Sequence, residues 1–237
     1  MRKLARKLPR PVKQLGRAIR RVHGIGAMNT GRIRSAKPLS ENWGYERGTP
    51  IDRHYIEGFL ALHATDVRGH VLEVQEDDYS RRFGRAEVTR QDILNIDASN
   101  PRATIIGDLA DPSTLPPGQF DCIILTQTLH LVFDMAAAIT NSRRALRPGG
   151  VALITVPGIT PVAPDLDYDW YWSLTDIALT RLLRQAFEPD KVEVSTYGNL
   201  AAATAFLHAA SVEEVGRRRL TKFDPAYPVT VAARCVA

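Results

Sequence analysis

The chain has 237 residues, 44% hydrophobic and 24% charged, with a formal net charge of +5; this suits one large α/β domain, or at most two small ones, of ordinary globular composition. No run approaches 18 consecutive apolar residues, which argues against a membrane-spanning helix. Two cysteines, with no CxxC, HExxH or HxH spacing, exclude a disulfide framework or a zinc site as the organising feature and fit a reducing, cytoplasmic setting.

The charge is unevenly spread. Residues 1–40 hold 12 Lys/Arg and no acid. Residues 41–237 therefore hold 19 basic residues against all 26 acids, a net of −7. Residues 1–37 read as a basic, flexible arm and residues 38–237 as the domain. Leu4, Leu8, Leu15, Ile19 and Val22 fall at roughly helical spacing in the arm, while Pro9 and Pro11 break it early. The arm reads either as a solvated tail or as a weak contact for anionic membrane or another polyanion.

Pro38–Pro50 is rich in Gly, Pro and aromatics and reads as an ordered lead-in or lid. Ile51, Tyr55, Phe59 and Leu62 predict a helix to about Ala64, with Asp52 in its first turn. From Gly69 strands and helices alternate. Strands are predicted at 71–74, 93–97, 103–108, 120–126 and 151–156; the fourth is nearly all apolar, as in a strand buried on both faces. A helix is predicted over Asp134–Leu146, stopped by Pro148-Gly149-Gly150. Then follow a helix capped by Thr175 and running to about Phe187, a strand at 192–197, an Ala-rich helix over Asn199–Val215 and a final strand within 227–236. This order predicts a doubly wound α/β sheet. Ligands in such sheets bind outside the carboxyl ends of the strands, so the loops after those strands are where chemistry is expected.

The run Phe120-Asp121 to His130 and Asp134, followed by Arg144-Ala-Leu-Arg-Pro-Gly-Gly150 to Pro157, resembles the central part of class I S-adenosylmethionine (SAM)-dependent methyltransferases. Val71–Val74 is similar to that family's first strand, and Ile105–Leu109 to its third-strand acidic loop. The resemblance implies a Rossmann-like, doubly wound and mostly parallel sheet with an antiparallel C-terminal strand, and SAM as cofactor. It implies that Glu73, at the end of the first strand, tunes a loop Gln75–Tyr79 that faces the amino-acid end of SAM, with Gln75 and Asp77 among the binding residues. Asp97 would accept the ribose hydroxyls, because a carboxylate offers several acceptor sites. Asp108 would bind the adenine amino group beside the Leu109 backbone. Thr126 and Gln127, with Thr128, would lie under the transferred methyl. His130 is the candidate catalytic base, against the alternative of a packing histidine.

Two features depart from the family pattern. Its glycine-rich first loop is replaced by Gln75-Glu76-Asp77-Asp78-Tyr79, which adds acid where a SAM carboxylate would lie. Arg47, Arg53, Arg81 and Arg82 are the candidate compensating cations. Second, Asp97 and Thr104 are too close for a helical crossover. Either the third strand is not a parallel neighbour of the second, or the second ends near Asp92, making Asp92 the rival for the ribose.

After the fifth strand, Asp165, Asp167, Tyr168, Asp169, Trp170, Tyr171 and Trp172 place aromatics beside carboxylates, a combination suited to a sugar or to a lid. Trp43–Arg53 loosely resembles a methyltransferase type 11-like bacterial subgroup linked to glycan and secondary-metabolite pathways. The resulting expectation is O-methyl transfer to a sugar-containing or small-molecule acceptor. The alternative is a methyltransferase-like binding or scaffold protein without methyl transfer. Nucleic acid fits poorly, since phosphate binding wants a basic face and the body is acidic.

Overall fold

A computed structural model describes residues 36–162 and 169–237. Apart from residues 36 and 37, the basic arm lies outside the described residues, as do Asp165, Asp167 and Tyr168.

Among the described residues, seven strands form one sheet: β1 (Gly69–Val74), β2 (Val88–Asn95), β3 (Ile105–Ile106), β4 (Phe120–Thr126), β5 (Leu146–Pro157), β6 (Val192–Tyr197) and β7 (Thr230–Val236). Their order is β3-β2-β1-β4-β5-β7-β6. The first five are parallel, and β7 runs antiparallel between β5 and β6. This is the mostly parallel, doubly wound, Rossmann-like sheet with an antiparallel C-terminal strand that the sequence predicts.

Helices cover both faces: α1 (Ile51–Leu62), α2 (Met135–Ala145), α3 (Asp176–Leu183) and α4 (Leu200–Leu207), followed by the single turns α5 (Val212–Val215) and α6 (Arg217–Leu220). The alternation along β4 shows why its run is apolar throughout. Ile123 and Leu125 pack with α2 and α3, whereas Cys122 and Ile124 pack with Ile56, Phe59 and Leu60 of α1. A third cluster joins the start of α1 (Ile51, Tyr55) to Phe206, Val212 and Leu220.

Caps set most helix starts. Asp134, Thr175 and Asn199 each accept a backbone N–H three residues on, which satisfies donors the helix itself cannot pair. The predicted Asn199–Val215 helix is instead two helices. Ala209 takes φ +54°, a conformation that ends a right-handed helix, and Ser211 starts α5 through a reciprocal capping box with Glu214. Likewise α2 ends at Ala145, earlier than predicted: Leu146 is already extended, and Arg147 precedes a proline, which disfavours helical backbone.

The short link between β2 and β3 resolves differently from both alternatives raised by the sequence. The strands are parallel neighbours, paired only as Leu94–Ile105 and Asn95–Ile106. Because β3 pairs only at the carboxyl end of β2, the chain needs to retreat by just two residues, and a helical crossover is unnecessary.

Candidate functional site

The site is built at the carboxyl edge of β1, β4 and β5. A cleft of about 250 Å³ opens there, with Val74 ending β1 and Gln75 after it, Thr126 ending β4 with Gln127 and Thr128 after it, and Pro157 ending β5. Trp43, Tyr45, Asp52 and Arg53 roof it from the lead-in and the first turn of α1. His130, Trp170 and Phe206 complete the walls.

The roof is held by backbone and side-chain bonds together, including an isolated antiparallel bridge between Pro50 and Ser211. Leu39 N donates to His208 O at 2.8 Å, Thr49 N donates to Glu213 Oε2 at 2.8 Å, and Arg47 pairs with Glu214. Gly44 (φ +91°) lies so close to the Ala209 carbonyl that a Cβ there would sit 2.7 Å from its oxygen. The lead-in is thus docked on the turn that splits α4 from α5.

The glycine-free loop folds back on itself. Glu73, 3% exposed, accepts from Ser80 N at 2.9 Å, Ser80 Oγ at 2.8 Å and Tyr79 N at 3.2 Å. These bonds hold a π-helical turn, Ser80–Gly84, against the strand end. Burial raises the Glu73 carboxyl to about 7 despite its hydrogen bonds. Asp77 is buried and paired with Arg81 at 2.6 Å and with Arg102. Its charge is therefore neutralised by the turn that follows and by the β2–β3 link, and Asp77 does not line the cleft.

Gln75 bears the cost of the missing glycine. It sits at φ +67°, its N–H bonded to Leu94 O at 2.9 Å and its carbonyl accepting from Asn100 Nδ2 at 2.5 Å. After β4, Gln127 takes φ +49° and donates its N–H to Thr155 O at 2.9 Å. With Trp43 (φ +47°), three non-glycine residues in left-handed backbone line this one cleft, the kind of strain that collects at functional sites.

Of the four candidate cations, Arg53 is the one in the cleft. Arg47, Arg81 and Arg82 pair with Glu214, Asp77 and Glu57 respectively. The Arg53 guanidinium donates to Tyr45 Oη and Tyr79 Oη, each at 2.9 Å, and stays firmly charged. Beside it, Asp52 Oδ1 is buried with no hydrogen-bond partner among the described residues, and burial pushes this carboxyl up.

His130 lies in a 3-10 turn after β4, 2% exposed, with its ring 4.3 Å from that of Trp170. Burial lowers its pKa to about 4, so the ring is neutral at ordinary pH. The His130 carbonyl accepts from Tyr171 N and Trp172 N at 3.1 and 3.3 Å, which lays the aromatic segment over this turn. Buried His130 Nδ1 and Trp170 Nε1 have no hydrogen-bond partner among the described residues. Three unpaired buried polar atoms, on Asp52, His130 and Trp170, thus belong to residues of one cleft. Orphaned polar groups are costly, so such a cluster calls for a polar partner, water or ligand, in the cleft.

The remaining predicted residues fall outside the cleft. Asp97 is exposed beyond β2, where Oδ1 accepts from Ser99 N at 2.8 Å and Asn95 Nδ2 at 3.2 Å. Asp108 is exposed beyond β3, its Oδ1 accepting from Ala110 N at 2.8 Å. Leu109 is a core side chain whose carbonyl accepts from Asn141. All three lie at the same sheet edge as the cleft. Asp92 does not: it sits within β2, level with Leu72, bonded to His70 Nε2 at 2.6 Å and Thr104 Oγ1 at 2.8 Å. Sequence reasoning missed Asp52, Phe206 and Val229 as lining residues. The one local signal was an Asp-Arg pair opening a helix after Pro50.

Comparison with known proteins agrees with this fold. Residues 57–154 match the methyltransferase domain family. A probable S-adenosylmethionine-dependent methyltransferase of Mycolicibacterium smegmatis is 29% identical over 111 residues, covering 47% of this chain and 38% of its own length. The chain therefore spans well under half of that relative. Among solved structures, a SAM-dependent methyltransferase from Archaeoglobus fulgidus aligns with TM-score 0.52 at 10% identity, covering 78% of this chain and 94% of that one. A putative sarcosine dimethylglycine methyltransferase from Galdieria sulphuraria aligns with TM-score 0.53 at 13% identity, covering 78% and 84%. The [4+2]-cyclase SpnF shares the fold too, with TM-score 0.52 at 15% identity over 80% and 84%.

Proposed function

We propose that this chain, which carries a class I SAM-dependent methyltransferase domain, uses the cleft at β1 and β4 to transfer a methyl group from SAM to oxygen of a sugar-containing or small-molecule acceptor. The observation that carries this reading is the set of unpaired polar atoms on Asp52, His130 and Trp170 beside charged Arg53. A zwitterionic amino-acid end asks for one anion and one cation, and Asp52 and Arg53 offer both: the guanidinium to the carboxylate, the carboxylate to the ammonium. This replaces the contacts that backbone amides of a glycine-rich loop would give.

The cleft's 250 Å³ suits the methionine half of SAM and the acceptor's reacting group. The nucleoside would then lie over the ends of β2 and β3. Exposed Ile96 and Ile106 offer apolar surface there, Asp97 an acceptor for the ribose hydroxyls and Asp108 one for the adenine amino group, beside the Leu109 backbone. Glu73 acts from beneath, by fixing the Tyr79–Ser80 backbone and so the Gln75 loop.

SAM supplies an electrophilic methyl on a sulfonium. The protein's task is to hold the acceptor oxygen in line and exclude water. Thr126 and Gln127 would lie under the reacting groups, and His130, kept neutral by burial, would take the hydroxyl's hydrogen bond on a ring nitrogen as a weak base that orients the acceptor oxygen. Phe133, Tyr171 and Trp172, stacked edge-on and tilted at 5.3 and 6.0 Å and all exposed, form a shelf outside His130 on which a sugar face would stack.

Isothermal titration with SAM and S-adenosylhomocysteine tests the cofactor reading. Binding of both is expected; no heat from a folded protein would sink it. A second reading, binding without methyl transfer, is favoured by the glycine-free loop. It takes over if SAM binds but no labelled methyl reaches any acceptor from a library of sugars and small hydroxylated molecules.

A further inference from the structure

A second concavity lies on the same edge of the sheet. Strands β5 and β6 both run antiparallel to β7 and so run parallel to each other, which puts the end of β6 on the cleft's edge. There a groove of about 860 Å³ is lined by Leu200, Arg217, Arg218, Arg219, Lys222 and Phe223. Four cations in six residues are unexpected in a body of net charge −7.

All four cations are exposed, and none is in an ion pair among the described residues. Asp224, the acid in the lining, accepts from Ala226 N through Oδ1. The backbone beneath is fixed. Asn199 Nδ2 donates to the carbonyls of Arg219 and Lys222 at 2.9 and 2.6 Å, and Tyr55 Oη donates to Leu220 O at 3.0 Å. The charges are thus held on a rigid base. Apolar groups stand among them: Phe223 is 60% exposed and Leu200 56%.

We propose that this face docks the protein on an anionic lipid bilayer, with the sheet's carboxyl edge turned toward the headgroups. Cations with interspersed large apolar side chains are what an anionic interface selects: the charges meet headgroup phosphates, and Phe and Leu enter the acyl boundary. Against a nucleic acid duplex those apolar groups have no partner, and the acidic remainder of the body would oppose an extended polyanion. Residues 1–37 add charge of the same sign, with leucines at roughly helical spacing. The inference concerns a surface outside the cleft and does not depend on which cofactor the cleft holds.

The test is co-sedimentation of the full chain with phosphatidylcholine vesicles, with and without phosphatidylglycerol. Binding is expected only to the anionic vesicles and should weaken with salt. The variant Arg217→Ala/Arg219→Ala/Lys222→Ala should bind roughly 100-fold less well, about fivefold per cation. Phe223→Ala, which keeps every charge, should lose roughly tenfold. Unchanged thermal melting of both variants confirms that only the surface has altered. The proposal is overturned if the triple variant partitions like the parent, since the arm alone would then suffice. It is equally overturned if the parent ignores anionic vesicles but is retained by an RNA or DNA oligomer.

Discussion

Replacing Arg53 by methionine removes the cleft's cation while keeping an unbranched side chain of similar reach. Its guanidinium is bonded to two phenol hydroxyls and has no carboxylate within ion-pair distance among the described residues, so an incoming carboxylate would find it available. A charge-assisted hydrogen bond of this kind contributes about 1.5–3 kcal/mol, or roughly 10- to 100-fold in affinity. Titration should therefore show S-adenosylhomocysteine binding Arg53→Met that much more weakly than the parent. The control is 5′-methylthioadenosine, which keeps the nucleoside and lacks the amino-acid end; its affinity should change by less than about threefold, or 0.6 kcal/mol. Loss of the Tyr45 and Tyr79 contacts is a structural side effect that would weaken both ligands alike. Equal weakening of the two, or no weakening of S-adenosylhomocysteine, refutes the assignment of the amino-acid end to Arg53.

Two further substitutions separate binding from folding. Asp97→Ala should weaken S-adenosylhomocysteine by about 1–3 kcal/mol with little effect on melting, whereas Asp92→Asn, which breaks the buried bond to His70, should lower stability by a similar amount and leave cofactor affinity nearly unchanged; calorimetry and denaturant titration read the two, and the reverse pattern would move the ribose role to Asp92. His130 predicts an acid sensitivity with a definite sign: the unfolded chain takes up a proton near 6.5, the folded one only near 4, so stability is lost as pH falls through that window, by at most about 3 kcal/mol. Denaturant melts at several pH values should show this loss in the parent and not in His130→Gln; parallel curves would mean that the ring is hydrated.

The sequence is most legible where a local rule decides. The apolar run of β4 and the alternation of β6 give their strands to the residue, and Asp134, Thr175 and Asn199 announce their helices. The break at Ala209 is hidden because nothing local asks an alanine for positive φ; docking of Leu39 and Gly44 on this turn supplies the reason from 165 or more residues away in sequence. Its partner signal, Ser211-x-x-Glu214, is written in the sequence but lies inside an Ala-rich stretch that otherwise reads as one helix. The site divides in the same way. Gln75, Thr126, Gln127 and His130 follow strands and could be placed by topology alone, and all four line the cleft. Asp52, Phe206 and Val229 reach it from other elements, so only the packing of α1, α4 and the lead to β7 brings them in.

The two-residue strand β3 bears on how this protein behaves at high concentration. The edge of a sheet is a template for another chain, and its hazard grows with the length of free backbone it presents. Here the parallel flank ends in a strand of two residues, and the flanking Thr104 and Gly107 turn their N–H groups inward to β2, at Ile93 O and Asn95 O, before the chain leaves the ladder. An intruding strand would find two residues of ladder and then a bend. A shortened connection, read first as a missing helix, thus leaves that flank of the sheet poorly suited to self-association through backbone pairing.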